Sequence, residues 1–141
     1  MIKRYLAIDY GTVRTGIAIS DPLGILASGL TTLATKHKSL AEVADMIAVL
    51  VREHQITDIL LGLPKRTDGK VGDKEVLVRE LEKELLRATG IVPILFDERY
   101  TTVIAQRIMR ENNVKTHKRK AIVDQIAAEI LLQDYLDAQR K

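Results

Sequence analysis

The sequence predicts an α/β fold: a five-stranded mixed sheet, a three-strand antiparallel meander followed by parallel strands, flanked by helices. Three observations lead there. Short apolar segments punctuated by glycine and proline turns open the chain, as in a meander. From residue 39 onward, helical periodicity alternates with continuous apolar segments, as in βαβ units. The length of 141 residues suits one domain, taken to span residues 1–141.

Residues 2–8 read as a buried strand that ends at Asp9. Gly11 and Gly16 mark a tight turn, and Gly16 to Ser20 form the return strand. Asp21-Pro22-Leu23-Gly24 is a second turn, and residues 25–33 supply a third strand. Ser39-Leu40-Ala41-Glu42 is a capping box. Leu40, Val43, Ile47, Leu50 and Val51 then follow helical spacing to about His54. Asp58 to Gly62 is a continuous apolar strand, as expected where both faces are covered.

Residues 64–72 hold Pro64, Gly69 and Gly72 among charges and read as an exposed loop. Helix-forming residues run from about Asp73 to Ala88, with Gly90 as the stop. Val92 to Phe96 is a short strand ending at Asp97-Glu98. A helix over about 101–111, a basic loop over 112–118 and a last helix over about 119–138 complete the chain. Three meander strands followed by βαβ units give a mixed sheet with helices on both faces. Ligands of such sheets sit beyond the carboxyl ends of the strands, where Asp9 and Asp97-Glu98 are placed.

The composition, 46% hydrophobic and 29% charged, suits a soluble protein with a real core. No apolar stretch approaches the roughly 20 residues of a membrane-spanning helix, and the N-terminus lacks a secretory pattern. The absence of cysteine excludes disulfides and thiolate metal sites. A cytoplasmic location is expected. The net charge of +3 is unevenly spread: residues 99–120 carry seven Lys/Arg (Arg99, Arg107, Arg110, Lys115, Lys118, Arg119, Lys120) against Glu111 alone. Such a block suits a polyanionic partner, because Lys and Arg neutralise phosphates and release counterions. A solvated helix face followed by a charged loop is the alternative.

Asp9 at a strand end can cap a turn or bind a ligand. Its neighbours Gly11 and Gly16 would let the backbone approach a ligand closely, with Arg14 beside them. Asp124 lies in Ala121-Ile-Val-Asp124-Gln-Ile-Ala127-Ala128, at the edge of an apolar stripe. An inward carboxylate there is costly unless paired or bound to a cation. The other reading is a first-turn acid favoured by the helix dipole. Carboxylates converging on a cleft suit Mg²⁺ or Mn²⁺, hard ions that prefer oxygen, and no His or Cys spacing supports zinc. His37, His54 and His117 are scattered, and only His117 stands near the basic block.

Four motifs stand in order along the chain: Asp9-x-Gly11-x-x-Arg14-x-Gly16, Gly62-Leu63-Pro64, Asp97-Glu98-Arg99-x-Thr101-Thr102 and Asp124-x-x-Ala127-Ala128. Together they resemble the family of Holliday-junction resolvases also described as pre-16S rRNA nucleases, over essentially the whole chain. The resemblance implies an RNase H-like fold and hydrolysis of phosphodiesters, in 5′-end processing of pre-16S rRNA or in junction resolution. It implies catalytic roles for Asp9 and Asp124, with a third acid from Asp97-Glu98. Only one of two adjacent strand residues faces the cleft; Glu98 is favoured for its reach, and Asp97 stays open as a metal ligand. Better-known nucleases of this superfamily carry an acid near the end of the fourth strand, where this chain has Gly62-Leu63-Pro64.

Arg14 and Arg99 suit a scissile or flanking phosphate, although Arg99 can equally pair with Asp97 or Asp124. Thr101 or Thr102 suits a helix N-cap. Lys65, Arg66, Lys115, Lys118, Arg119 and Lys120 are expected to flank the cleft and grip a nucleic-acid backbone. With one Phe, four Tyr and no Trp, recognition by shape and phosphates is favoured over base stacking. Structured RNA is the favoured substrate and branched DNA the alternative; resolution of a junction would need a symmetric dimer, so monomer and homodimer both stay open. Two rivals remain. Ile8-Asp9-Tyr10-Gly11-Thr12 also looks like a phosphate loop of the actin, sugar-kinase and Hsp70 ATPases, which clamp nucleotide between two such domains. A non-catalytic RNA-binding assembly factor is the other.

Overall fold

Five strands form one sheet in a computed structural model that describes residues 2–100 and 117–140. Strands β1 (Tyr5–Asp9), β2 (Arg14–Ser20) and β3 (Ala27–Ala34) come first, then helix α1 (Leu40–Glu53), β4 (Asp58–Leu63), α2 (Asp73–Thr89), β5 (Ile94–Asp97) and α3 (His117–Gln139). The order across the sheet is β3-β2-β1-β4-β5. β1 pairs antiparallel with β2 and β2 with β3, whereas β4 runs parallel to both β1 and β5. This is the expected meander continued by parallel strands. The helix expected over 101–111, the Thr101/Thr102 cap and Lys115 lie outside the described residues.

Alternation along the strands builds two cores. Leu6, Ile8, Ile17, Ile59, Leu61 and Leu63 pack with Val43 and Ile47 of α1 and with Val78, Leu81 and Leu85 of α2. Tyr5, Ala7, Ala18, Ala27 and Leu60 pack on the other face with Ala127, Ala128, Leu131, Leu132 and Leu136 of α3. Ala7, Ala18 and Ala27 on the strands and Ala127 and Ala128 on α3 let the first half of this helix lie close to the sheet. Gly16 carries the tightest approach: a Cβ there would collide with the backbone carbonyl of Asp124. At the opposite end of the sheet, Tyr135 meets Tyr5 and Phe96 edge-on, with ring centroids 5.7 and 5.3 Å apart, a favourable geometry for aromatic quadrupoles.

Local signals set the element ends. The Ser39 hydroxyl accepts from Glu42 N–H at 3.1 Å, satisfying an open donor at the start of α1. Gly90 closes α2 in the left-handed conformation, φ 75°, and its N–H donates to Leu86 O at 2.9 Å, as a C-terminal glycine does. Several boundaries move, β3 to Ala27–Ala34 and β5 to Ile94–Asp97 among them. β1 begins at Tyr5 because Arg4 O already accepts from Thr57 and Asp58 N–H, tying the chain to the start of β4. β2 begins at Arg14, in register with Ala34, which shortens the turn after Asp9. α3 begins at His117, two residues before the expected start. The β2–β3 register shifts between Ile17 and Ala18, a bulge that strengthens local twist. No helix among the described residues is long and apolar enough to cross a membrane.

Candidate active site

β1 delivers Asp9 to the carboxyl end of the sheet. Asp9 continues the Tyr5–Ala7 side of the strand and therefore stands on the α3 face, 5% exposed. The turn that follows is held by threonines. Thr35 Oγ1 donates to Gly11 O at 2.6 Å, Thr15 Oγ1 lies 3.3 Å from both Gly11 N and Gly11 O, and Val13 O accepts from Thr35 and Lys36 N–H. A Cβ at Gly11 would collide with Arg14 O. Both glycines of the first motif thus make room for the protein's own backbone, where the sequence suggested room for a ligand.

Asp124 comes from α3 and is 9% exposed. It follows His117, the first helical residue, by about two turns, which removes the helix-dipole explanation based on the first turn. Its Oδ2 accepts from Arg14 Nε at 2.7 Å. Arg14 opens β2, so this bond crosses from the meander to the last helix.

Glu98 follows β5 in a short 3-10 turn, Glu98–Tyr100, and is 3% exposed. Ile94 and Phe96 pack in the α3-side core and Leu95 in the other, so alternation places Glu98 on the α3 face and Asp97 opposite. Gly62 makes the space: a Cβ there would stand 2.7 Å from Glu98 Oε1 and 2.9 Å from Leu131 Cδ2. Asp97 is engaged by Arg99, whose backbone N–H donates at 2.9 Å and whose Nε and Nη2 donate at 3.0 and 2.7 Å. That guanidinium holds the Asp97 carboxyl below the usual carboxylate range.

An open cleft of about 410 Å³ runs between the β1–β2 turn and the first turns of α2, lined by Asp9, residues 10–14, Asp73, Lys74, Leu77 and Asp124. Asp73, Lys74 and Leu77 were missed from sequence, since only tertiary packing brings the start of α2 opposite Asp9. Tyr10 lines the cleft although nearly buried, and burial pushes its phenol pKa up. Lys65 Nζ stands 4.0 Å from Oε2 of Glu75, a buried acid that also accepts from Arg79 Nε at 3.0 Å. Arg66 is exposed and pairs with Asp68. Lys120 is partly buried on α3; the side chains of Lys118 and Arg119 lie outside the described residues. Asp9, Glu98 and Asp124 share a face, but among the described residues no three His, Cys, Asp or Glu are gathered closely enough to hold a metal ion.

Residues 3–138 match the RuvX family, described as Holliday junction resolvase. The chain belongs to the RuvX family. Curated relatives agree over nearly the full length. A protein of Roseiflexus sp. (strain RS-1) named "Putative pre-16S rRNA nuclease" is 43% identical over 138 residues, covering 97% of this chain and 96% of the relative. One of the same name from Halalkalibacterium halodurans is 39% identical, covering 97% and 98%. Among solved structures, T. thermophilus RuvC in complex with Holliday junction substrate aligns with a TM-score of 0.62 at 13% identity, covering 98% of this chain and 96% of that one. The fowlpox virus Holliday junction resolvase aligns with a TM-score of 0.51 at 14% identity, covering 96% and 99%. The fold is thus the RNase H-like fold of resolvases, and this RuvX-family chain is a nuclease, a hydrolase of phosphodiester bonds.

Proposed function

We propose that this RuvX-family chain is a metal-dependent nuclease, an endonuclease, that acts in the cytoplasm on structured RNA in 5′-end processing of pre-16S rRNA, with Asp9, Glu98 and Asp124 as its catalytic acids. One observation carries the reading: all three are less than 10% exposed and stand on the α3 face, Asp9 at the carboxyl end of β1 and Glu98 just past that of β5, with β4 between them. Buried carboxylates grouped on one face are kept at a cost that pairing, hydrogen bonding or a bound cation offsets. A donor set of carboxylates alone, with Gly62 leaving space for Glu98, fits Mg²⁺ or Mn²⁺. When bound, such a metal stabilises the attacking and leaving oxygens of an in-line displacement.

The protein's own groups supply the rest. Asp9, Glu98 and Asp124 would hold the metal by closing in from the spacing they have here, while Arg14, on the cleft wall, offers a guanidinium to a phosphate oxygen. Lys65 and Arg66, on the loop before α2, and Lys115, Lys118, Arg119 and Lys120 provide the wider electrostatic grip on the backbone. Asp97 and Arg99 satisfy one another, so the second acid of that pair and its arginine act as a brace at the end of β5.

The test is cleavage of pre-16S rRNA fragments with Mg²⁺ or Mn²⁺ by wild type and Asp9→Asn. Metal-dependent cutting that Asp9→Asn abolishes with folding intact supports the reading, and equal cutting by both proteins defeats it. The family description favours a second reading, resolution of four-way DNA junctions. Junction DNA belongs in the same assay, together with the mass of the protein in solution, because paired incisions need two sites.

A further inference from the structure

Two arginine–aspartate pairs lie near the carboxyl end of the sheet, and they are built differently. Arg99 grips Asp97 with its backbone N–H, Nε and Nη2. Arg14 touches Asp124 through Nε alone, at 2.7 Å. A forked contact fixes an arginine, whereas a single charge-assisted bond can be exchanged for another partner. The Arg14 side chain is 25% exposed and Asp124's is 13% exposed, and both line the cleft.

The backbones on either side of this bond are fixed. Gly16 seats the Asp124 carbonyl against β2, and Gly11 seats the Arg14 carbonyl in the turn. Any exchange must therefore come from the arginine's long side chain. The Asp124 carboxylate cannot stay buried without a positive partner at low cost.

We propose that Arg14 is a resident counter-ion for Asp124, exchanged when a divalent cation takes the carboxylate and a substrate phosphate takes the guanidinium. This rests on the metal-dependent reading above. In the metal-free protein, Arg14 neutralises an acid that would otherwise be buried without a charged partner. A phosphate drawn to Arg14 frees Asp124 for the metal, and a metal at Asp124 frees Arg14 for the phosphate. By thermodynamic linkage, each ligand then strengthens the other's binding by the same factor.

The experiment is Mn²⁺ titration of the full chain, read by electron paramagnetic resonance of free Mn²⁺, for wild type, Arg14→Gln, Arg14→Lys and Asp124→Asn. Thermal midpoints are recorded with and without Mn²⁺. Arg14→Gln is expected to bind Mn²⁺ on the order of fivefold or more tightly than wild type, and to melt lower in its absence. Arg14→Lys, which keeps the charge with a different head group, falls between them and serves if the glutamine variant does not fold. Sulfate, a stand-in for phosphate, raises wild-type Mn²⁺ affinity over chloride at matched ionic strength and leaves Arg14→Gln unchanged. Equal Mn²⁺ affinity in wild type and both Arg14 variants, with loss in Asp124→Asn, overturns the exchange while the metal reading stands. An Asp124→Asn variant that binds Mn²⁺ as wild type does overturns both.

Discussion

Glu98 occupies the space that a side chain at position 62 would fill, its Oε1 standing 2.7 Å from where a Cβ on Gly62 would lie. The end of β4 thus serves a carboxylate that arrives from beyond β5. Gly62→Ala should displace Glu98, since Leu131 on α3 closes the other side at 2.9 Å. We expect a folded protein, less stable by about 1–3 kcal/mol, whose cleavage falls more steeply than its thermal midpoint. Denaturant titration and cleavage rates on the same preparation check this.

Glu98 and Asp97 can be separated by isosteric variants. Glu98→Gln should reduce cleavage on the order of 100-fold, as when a preorganised charge is lost from an active site. Asp97→Asn should keep most of it, because that carboxylate faces the other side of the sheet and serves Arg99. Single-turnover cleavage rates decide the comparison.

The Asp97–Arg99 pair also predicts a pH dependence. Arg99 holds the folded Asp97 pKa below its ordinary value of 3.8, so the unfolded chain takes up a proton first as pH falls. The stabilisation is fully present above that ordinary value and is lost as pH drops through the folded one. Asp97→Asn lacks it, so the stability curves of variant and wild type should converge in acid and separate toward neutrality, by at most about 1 kcal/mol for so exposed a partner. Urea denaturation across the acid range measures it.

Gly16→Ala strikes backbone rather than a yielding side chain, because the group it meets is the Asp124 carbonyl. It should shift α3 away from β2, costing about 1–3 kcal/mol and moving Asp124 away from Asp9. Both stability and cleavage are expected to fall, and Mn²⁺ affinity with them, measured by calorimetry.

Ser39→Ala is the contrast. It removes the cap of α1, far along the chain from every candidate acid, and should cost about 1 kcal/mol with the cleavage rate unchanged below the melting range.

The described elements were legible in the sequence, because apolar periodicity and caps such as Ser39 and Gly90 are local signals. So was the placing of Asp9 and Glu98 at strand ends. The phase of β5 was not: alternation says that Asp97 and Glu98 oppose one another, but only the packing of Leu95 with the α1/α2 core and Phe96 with the α3 core says which is which. Gly16 was misread for a similar reason, since a glycine announces close approach without naming what approaches. Asp73 and Lys74 carry no local sign of the cleft they line, as their opposite wall is the turn after Asp9.

α3 supplies Asp124 and also, among the described residues, the helix that covers Ala7, Ala18 and Leu60. While a ribosome is still making the chain, the earlier strands can pair, yet this face stays bare and the constellation of acids lacks a member. On the proposed reading, cleavage has to wait for α3. A nascent chain from which α3 has not yet emerged leaves this apolar face open to water and to association with other chains.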